Sequence, residues 1–482
     1  VGLDEVVVTA LGISREVKSL GYAVQEVDEE ELNGSIQDDA ISALSGKVAG
    51  VQVGASSKMG GSSRILIRGA NSITGENQPL IVVDGVPVDN ADYNNNAANG
   101  YGGDANGFGG YDLGNTLNDI NPDNIASVSV LKGPAAAIYG SRAANGVIVI
   151  TTKKPQLGQD AVSVEVNSNL GFEQVYVLPP LQRKYGGGAI ISNDDGGVNG
   201  FEQVTIEGND YLIPQYAVDE SWGPAYDPNI SVLHWDAFDQ ESYPDDYLNP
   251  RPWVAPANDV EDFYDLGRTW TNNIAMSSSG TNYGVRFSYT NTNTQGTMPG
   301  SELLKNNFSL NGNAKLGKKL NVDATLNYLN QTGKGRPQVG YGDNSVGQKF
   351  FQWGQRQLDY EKLKNYKNDD GTMRTWNRIA WDNPTPKYSD NPYWAAYENY
   401  QEDDRNRFYG NVSLSYEIID NLLIKGSVYG DTYSMYNQER IAAGSQSQSK
   451  YYEAVRSNSE YNYEAILSYS KQFQNFGLYA FA

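Results

Sequence analysis

The sequence predicts an all-β membrane protein: an antiparallel transmembrane β-barrel, about nine strands of it visible and therefore incomplete here, preceded by a compact α/β unit. Three observations carry this. Long stretches alternate strictly between apolar and polar residues. Short and long connections between those stretches take turns. And no stretch approaches the ~18 uninterrupted apolar residues of a membrane helix, which leaves strands, half of whose residues avoid lipid, as the way to span.

Residues 1 to 155 read as the α/β unit. Asp38 and Asp39 precede Ala40, Ile41, Leu44 and Val48, an apolar stripe at helical spacing with acidic residues at its start. Ile65–Ile67 and Leu80–Val83 are short strand runs, and Asp84-Gly85 before Val86–Val88 is a two-residue hairpin signal. Ser127–Leu131 and Gly146–Thr152 read as further strands, with a short helix over Pro134–Tyr139 between them.

Beyond residue 155 the pattern changes. In 306–316, Phe308, Leu310, Ala314 and Leu316 oppose Ser309, Asn311, Asn313 and Lys315; in 320–330, Leu320, Val322, Ala324, Leu326 and Tyr328 oppose Asn321, Asp323, Thr325 and Asn327. The same alternation covers 162–172, 268–278, 283–290, 408–416, 422–430, 461–469 and 476–482. Most runs are close to the about 9–11 residues of a tilted membrane strand. Gly280–Asn282, Gly317–Lys319, Glu417–Asn421 and Lys471–Asn475 read as short turns, and 173–266, 293–304, 331–405 and 433–457 as long loops. In an up-and-down sheet every short turn then falls at one end, as in outer-membrane barrels. A soluble sandwich also alternates, but Asn, Ser and Thr on the polar faces suit a wet lumen, and Tyr and Phe near strand ends suit interface girdles.

Composition narrows the function. There are 36 Lys+Arg against 58 Asp+Glu, a net charge of −22, which disfavours nucleic acid, whose phosphates need cationic partners. With no cysteine and a single histidine, His234, thiolate zinc sites, disulfide frameworks and His-rich metal centres are excluded. Asp119-x-Asn121-x-Asp123 mimics a calcium loop, but Asn124 stands where glycine is needed and Val130 where the bidentate glutamate belongs. No cofactor is expected, and room is left only for weak surface calcium. His234 with Asp236 invites a catalytic reading, yet no G-x-S-x-G nucleophile turn exists, so an enzyme is not expected.

The stretches LDEVVVTALG (3–12), LSGKVAGVQV (44–53), ILIRGANSI (65–73), PLIVVDGVPVD (79–89) and INPDNIASVSVLKGPAAAIYGSRAANGVIVITTKK (120–154) resemble the plug domain of SusC/RagA-type TonB-dependent outer-membrane transporters. The stretch 267–301 is similar to an early barrel hairpin of the same family. The resemblance implies a TonB-box region over 1–12, a plug over 13–155 seated in the lumen, and the first part of the barrel over 156–482, with long external loops at 173–266, 331–405 and 433–457. An N-terminal extension domain and over half the barrel are expected outside this sequence, as is any export signal. The implied place is the outer membrane of a Gram-negative cell. The implied function is active import of glycan or peptide oligomers with TonB, a SusD-like lid lipoprotein and outer-membrane lipid as partners. A plugged barrel serving as scaffold, adhesin or part of a larger assembly is the alternative.

Site residues follow. Asp4, Glu5, Val6, Val7, Val8, Thr9 and Ala10 form a β-branched run suited to adding a strand to a partner's sheet edge; by itself it reads rather as an ordinary first strand of the plug, and the resemblance makes it the TonB-binding segment. Arg68, Lys132 and Arg142 read as plug anchors, pairing with lumen carboxylates such as Asp323, Asp431 and Glu464, because a buried unpaired charge is costly. Asp89, Asn90, Tyr93, Tyr101, Phe108 and Tyr111 lie in a Gly/Asn-rich stretch whose rings and amides suit a sugar or peptide, against the plainer reading of a flexible loop with incidental aromatics. Trp222, Tyr226, Trp235, Tyr243, Tyr247 and Trp253 either line a ligand cavity or pack their long loop on itself.

Overall fold

The structure, a computed structural model, describes residues 6–8, 14–16, 24–33, 44–54, 56, 58–73, 77–88, 90, 110–155, 157–158, 160–338, 340, 342, 344–473 and 477–481. Within the α/β unit, strands β1 (Val6–Val8) and β2 (Ser14–Glu16) pair as a hairpin, and so do β4 (Val51–Gly54) and β5 (Arg64–Ile67). The main sheet runs β3 (Val24–Asp28), β8 (Ile125–Leu131), β9 (Val147–Thr152), β6 (Leu80–Val83), β7 (Val86–Val88). Only β6 and β9 are parallel. One face of this sheet packs Ile81, Val83, Val128, Val130, Ile148 and Ile150 on Leu44 and Leu117. The other packs Leu80, Val82, Val147 and Val149 on Ala135, Ala136 and Ala143. Burial on both faces explains why these strands read as unbroken apolar runs rather than alternating ones. Asp84 (φ 48°) and Gly85 (φ 88°) make the predicted two-residue turn, since both central positions of such a hairpin need left-handed backbone. The helix read over Pro134–Tyr139 is a 3-10 helix, Gly133–Tyr139. Of the helical stripe Ala40–Val48, Leu44 is in a 3-10 turn and 45–48 are turn and bend; its earlier residues lie outside the described ones.

The remaining chain builds one nine-stranded antiparallel sheet: β10 (Ala161–Glu173), β11 (Gly267–Ser279), β12 (Tyr283–Gln295), β13 (Glu302–Leu316), β14 (Leu320–Lys334), β15 (Gln401–Ile419), β16 (Leu422–Ile441), β17 (Lys450–Gln472) and β18 (Gly477–Phe481), each beside its sequence neighbour. The nine predicted runs are these strands. Their faces are inverted relative to a water-soluble protein. Leu310, Leu326, Val412, Leu414 and Val428 are exposed, while Ser309, Asn311, Thr325, Asn411 and Ser427 between them are buried against the α/β unit. A soluble sandwich would bury the apolar set, so this reversal marks a wall with lipid outside and the plug inside. On β13 the apolar outer face from Phe308 to Leu316 spans nine residues, within the about 9–11 a tilted membrane strand needs. At its upper edge Tyr289, Phe308, Tyr328 and Phe408 stack in a ladder across four strands, with centroids 4.7, 6.0 and 4.4 Å apart. The hydroxyls of Tyr289 and Tyr328 donate to Asn306 and Asn406 at 2.8 and 2.7 Å. Apolar ring with wet tip is the arrangement of an interface girdle.

Every short turn lies at one end, as expected. The other end differs in two places. Strands β12 and β13 continue to Gln295 and from Glu302, and β16 and β17 to Ile441 and from Lys450. Half of 293–304 and most of 433–457 are therefore strand, not loop, because the barrel wall rises beyond the ladder. Residues 174–266 and 335–400 are the long connections, and they fold together as a cap. Trp235, Phe263, Phe350, Tyr360, Trp376 and Tyr393 share its core. Asn377 donates to Tyr216 O at 2.6 Å and Arg374 to Asp236 O at 2.6 Å, tying one connection to the other.

Candidate functional site

The plug meets the wall through short turns whose carbonyls and side chains point outward, and the wall answers with long donors. Asn121 caps the turn Pro122–Asn124 with its side-chain oxygen and donates its amide to Thr290 at 2.6 Å. Asn124 accepts from Arg286 at 2.8 Å and Ser288 at 2.6 Å. Lys305 donates to Asn118 O at 3.1 Å, and Asn411 to Asp84 O at 2.8 Å. Arg336 binds Met59 O at 2.9 Å while its Nε holds Asp403 at 2.6 Å.

The centre of this interface is Asp119, at the end of the 3-10 turn Thr116–Asp119. One carboxylate oxygen pairs with Arg405 Nη2 and the other with Arg407 Nη1 at 2.8 Å. Arg407 also donates to Thr116 Oγ1 at 2.7 Å and, as a fork, to Asp431 at 2.9 and 2.6 Å. Arg405 reaches Leu113 O at 3.1 Å. All four charged side chains are at most 3 % exposed. The two cations balance the two anions, which is what makes their burial tolerable. The odd-numbered positions of β15 place Asp403, Arg405 and Arg407 on the lumen face, so the alternation D-x-R-x-R over 403–407 was the available sequence signal for this cluster.

The residues singled out from sequence fall differently. Arg142 reaches wall residue Glu460 at 2.6 Å. Lys132 donates instead to Ala49 O inside the plug, and Arg68 sits exposed beside it in left-handed backbone (φ 62°). Asp431 is used by Arg407 of the neighbouring wall strand, and Glu464 by Lys425 at 3.6 Å and Tyr429 at 3.1 Å. Asp323 stands opposite Asn313 and Ser413 in the wall. The expected polarity, plug cations on wall anions, is thus mostly reversed. An arginine on a strand spans the gap to a plug turn more readily than a plug residue spans it outward, and the turns already present acceptors.

Val6–Val8 lie in the first hairpin; Asp4, Glu5, Thr9 and Ala10 lie outside the described residues. So do Asp89, Tyr93, Tyr101 and Phe108. Asn90 donates to Gln78 at 3.2 Å. Tyr111 is not an open contact residue: it is buried with Leu113 and Met435, bridges Gln338 of the cap, and accepts from Asn344 at 3.3 Å. Burial, then Glu439, push its phenol well above the ordinary range. In the cap, Trp253 packs within its own connection on Phe201 and Val232, Trp235 packs in the core shared with 335–400, and Trp222 is exposed. His234 approaches Pro252 O at 3.4 Å while Asp236 pairs with Arg251, so the two do not form a catalytic couple. Burial, then Arg251, lower the His234 imidazole to about 4. Among the described residues no three His, Asp or Glu gather as metal ligands.

Comparison with known proteins agrees with this architecture. The family described as TonB-dependent Receptor Plug Domain matches residues 16–147. The TonB-dependent receptor SusC of Bacteroides thetaiotaomicron is 40 % identical over 195 residues, covering 40 % of this chain and 17 % of that protein. TonB-dependent receptor P39 of Formosa agariphila is 38 % identical over 171 residues, covering 35 % and 14 %. The RagAB peptide importer in its open-open state superposes with a TM-score of 0.67 at 16 % identity, over 99 % of this chain and 48 % of that one, a likeness of fold. The chain spans about half the length of that solved structure. Both of these relatives are named as TonB-dependent receptors.

Proposed function

We propose that this chain, a TonB-dependent receptor of the SusC and RagA type, works in the active import of nutrient oligomers, glycan or peptide, across the outer membrane. The observation that carries the reading is the seat of the plug: a separately folded α/β unit held against the polar wall by hydrogen bonds and a buried charge cluster, with apolar contact confined to a few wall side chains such as Tyr409, Tyr429 and Met435. Such a seat closes the lumen yet consists of a small set of contacts that a pull on the N-terminal segment could break in turn.

In this reading the cap lies outside the cell and the short turns face the periplasm. Residues 4–10 add as a strand to TonB. Substrate is received beneath the cap and above the plug, with a SusD-like lipoprotein as lid. RagAB's description as a peptide importer and SusC's as a TonB-dependent receptor support the class and leave the cargo open between glycan and peptide.

The test is the full-length protein in its own cells with residues 4–10 deleted, compared with Val7→Pro, which removes a backbone donor from the strand to be added. Uptake of labelled oligosaccharides and peptides is expected to stop in both while the amount in the outer membrane stays the same. Unchanged uptake, or an assembly that purifies intact with neither lid lipoprotein nor ligand, would replace import with the scaffold reading.

A further inference from the structure

We propose that a groove on the outer surface of the wall, above the aromatic ladder, holds the saccharide head group of an outer-leaflet glycolipid. The proposal rests on the outer-membrane placement given above. The groove has a volume of about 380 Å³, within the ~300–1,000 Å³ usual for ligand sites. Glu302, Thr332, Lys334, Glu402, Asp404 and Tyr436 line it from β13 to β16. Strand parity puts these side chains outside: their neighbours Leu303, Asp403 and Met435 are buried on the lumen side.

Height selects the ligand. Glu302, Lys334 and Glu402 form one register row, six residues along their strands from Phe308, Tyr328 and Phe408. Six residues are ~20 Å at ~3.4 Å each, or ~14 Å above the ladder for a strand tilted ~45°. The polar region of an ordinary bilayer adds only about 5–8 Å per side. The groove therefore stands above a lipid's phosphate and at the level of a sugar head group.

Chemistry agrees. Lys334 is already engaged by Glu402 at 3.5 Å and lies 5.5 Å from the Tyr400 ring. The surrounding carboxylates repel a bare phosphate, whereas sugar hydroxyls donate to them. The Tyr436 hydroxyl is within 3.1 Å of both Tyr451 and Glu453 in the adjoining row, extending the polar wall, and its ring offers a face for stacking.

The experiment uses the full-length protein purified from its own outer membranes in mild detergent, with retained glycolipid counted by native mass spectrometry. Thr332→Trp fills the groove from an outward position, Glu402→Gln removes an acceptor, and Leu326→Trp, on the same strand within the apolar band, is the control. Retention is expected to fall at least tenfold in Thr332→Trp and severalfold in Glu402→Gln, and to be unchanged in Leu326→Trp. Delipidated wild type is then reloaded with glycolipid extracted from the same membranes, in competition with the saccharide released from it or with inorganic phosphate. Competition by saccharide alone supports the proposal. Equal retention in all variants, or displacement by phosphate and not saccharide, overturns it. Because no step measures uptake, a failure of the import reading leaves this outcome legible, and the reverse.

Discussion

Asp119→Asn removes one negative charge from a site where two arginines and two aspartates are nearly inaccessible to water. Afterwards the carboxylate that joined Arg405 to Arg407 is gone, Asp431 still holds Arg407, and the new amide turns a donor toward one of the two arginines. Removing one partner of a buried ion pair costs about 3–5 kcal/mol, and Coulomb's law gives ~4 kcal/mol for one pair at ~4 Å with an effective dielectric of ~20. The two estimates agree, so the plug's seat is expected to weaken by that amount. At ~1.4 kcal/mol per decade this is about a hundredfold to a few thousandfold. The assay is amide hydrogen exchange in the intact barrel, read at Val128–Val130 and Ile148–Ile150, which are buried plug-sheet strands. If the plug exchanges by leaving its seat, protection there falls by that factor. Adding Arg405→Gln restores charge balance, so the double variant is expected to lose far less than the sum of the singles. A change under about threefold in Asp119→Asn, or strict additivity in the double variant, would refute the claim that charge balance holds the plug.

Arg142→Ala, by contrast, breaks an ion pair that is 49 % and 27 % exposed, and is expected to cost under ~1 kcal/mol, read in the same exchange experiment. Two cap residues titrate in opposition. Burial raises Asp390 to about 6, so its contribution favours the folded cap at low pH and is lost as pH rises from about 4 through about 6. His234, lowered to about 4, contributes stability that is present above pH ~6.5 and lost as pH falls through about 4. Asp390→Asn should therefore expose a cap that weakens on acidification and His234→Gln one that weakens on alkalinisation, both followed by exchange at 442–449 and 346–353. Gly186→Ala places a methyl 2.1 Å from the Trp253 ring and is expected to destabilise the cap by ~1–3 kcal/mol, detected as earlier proteolysis of residues 174–266 with the barrel intact.

The nine strands were legible because lipid and lumen impose opposite demands on alternate residues, and that contrast is written in every run from Val162 to Phe481. It fades where lipid ends. In QEDDRNR, 401–407, both faces are polar, so the upper part of β15 reads as loop; residues 433–441 and 450–457 carry charged or amide groups on both faces and were hidden for the same reason. The cap was illegible as a unit because its core joins residues over 100 positions apart, Phe263 and Tyr393 among them at 5.0 Å, with no period to betray the contact. The 119–124 stretch shows a subtler failure. Its spaced Asp and Asn are recognisable as polar ligands, with Asn124 and Val130 standing where a calcium loop needs glycine and glutamate. Their real partners, Arg405 and Arg407 for Asp119, Thr290 for Asn121 and Arg286 for Asn124, come from strands more than 160 residues away.

The placement of charge bears on how such a plug could move. Had the plug carried the arginines, its departure would leave wall carboxylates bare, or drag several cations out of a low-dielectric seat. Here two of the wall's buried arginines keep carboxylate partners of their own. Arg407 stays forked to Asp431, and Arg336 to Asp403 at 2.6 Å, whether or not Asp119 and Met59 O are present. The plug's losses are then largely backbone carbonyls, amides and one carboxylate, groups that water can solvate as the seat opens. Shifting the plug thus costs the contacts of Asp119, its pairing with Arg405 among them, the exposed Arg142–Glu460 pair and the hydrogen bonds that Arg286, Lys305 and Arg336 donate, while the wall's own pairs stay made. Asp119 becomes the element that sets the height of the barrier, and the wall pairs are what keep that barrier within reach of a mechanical pull.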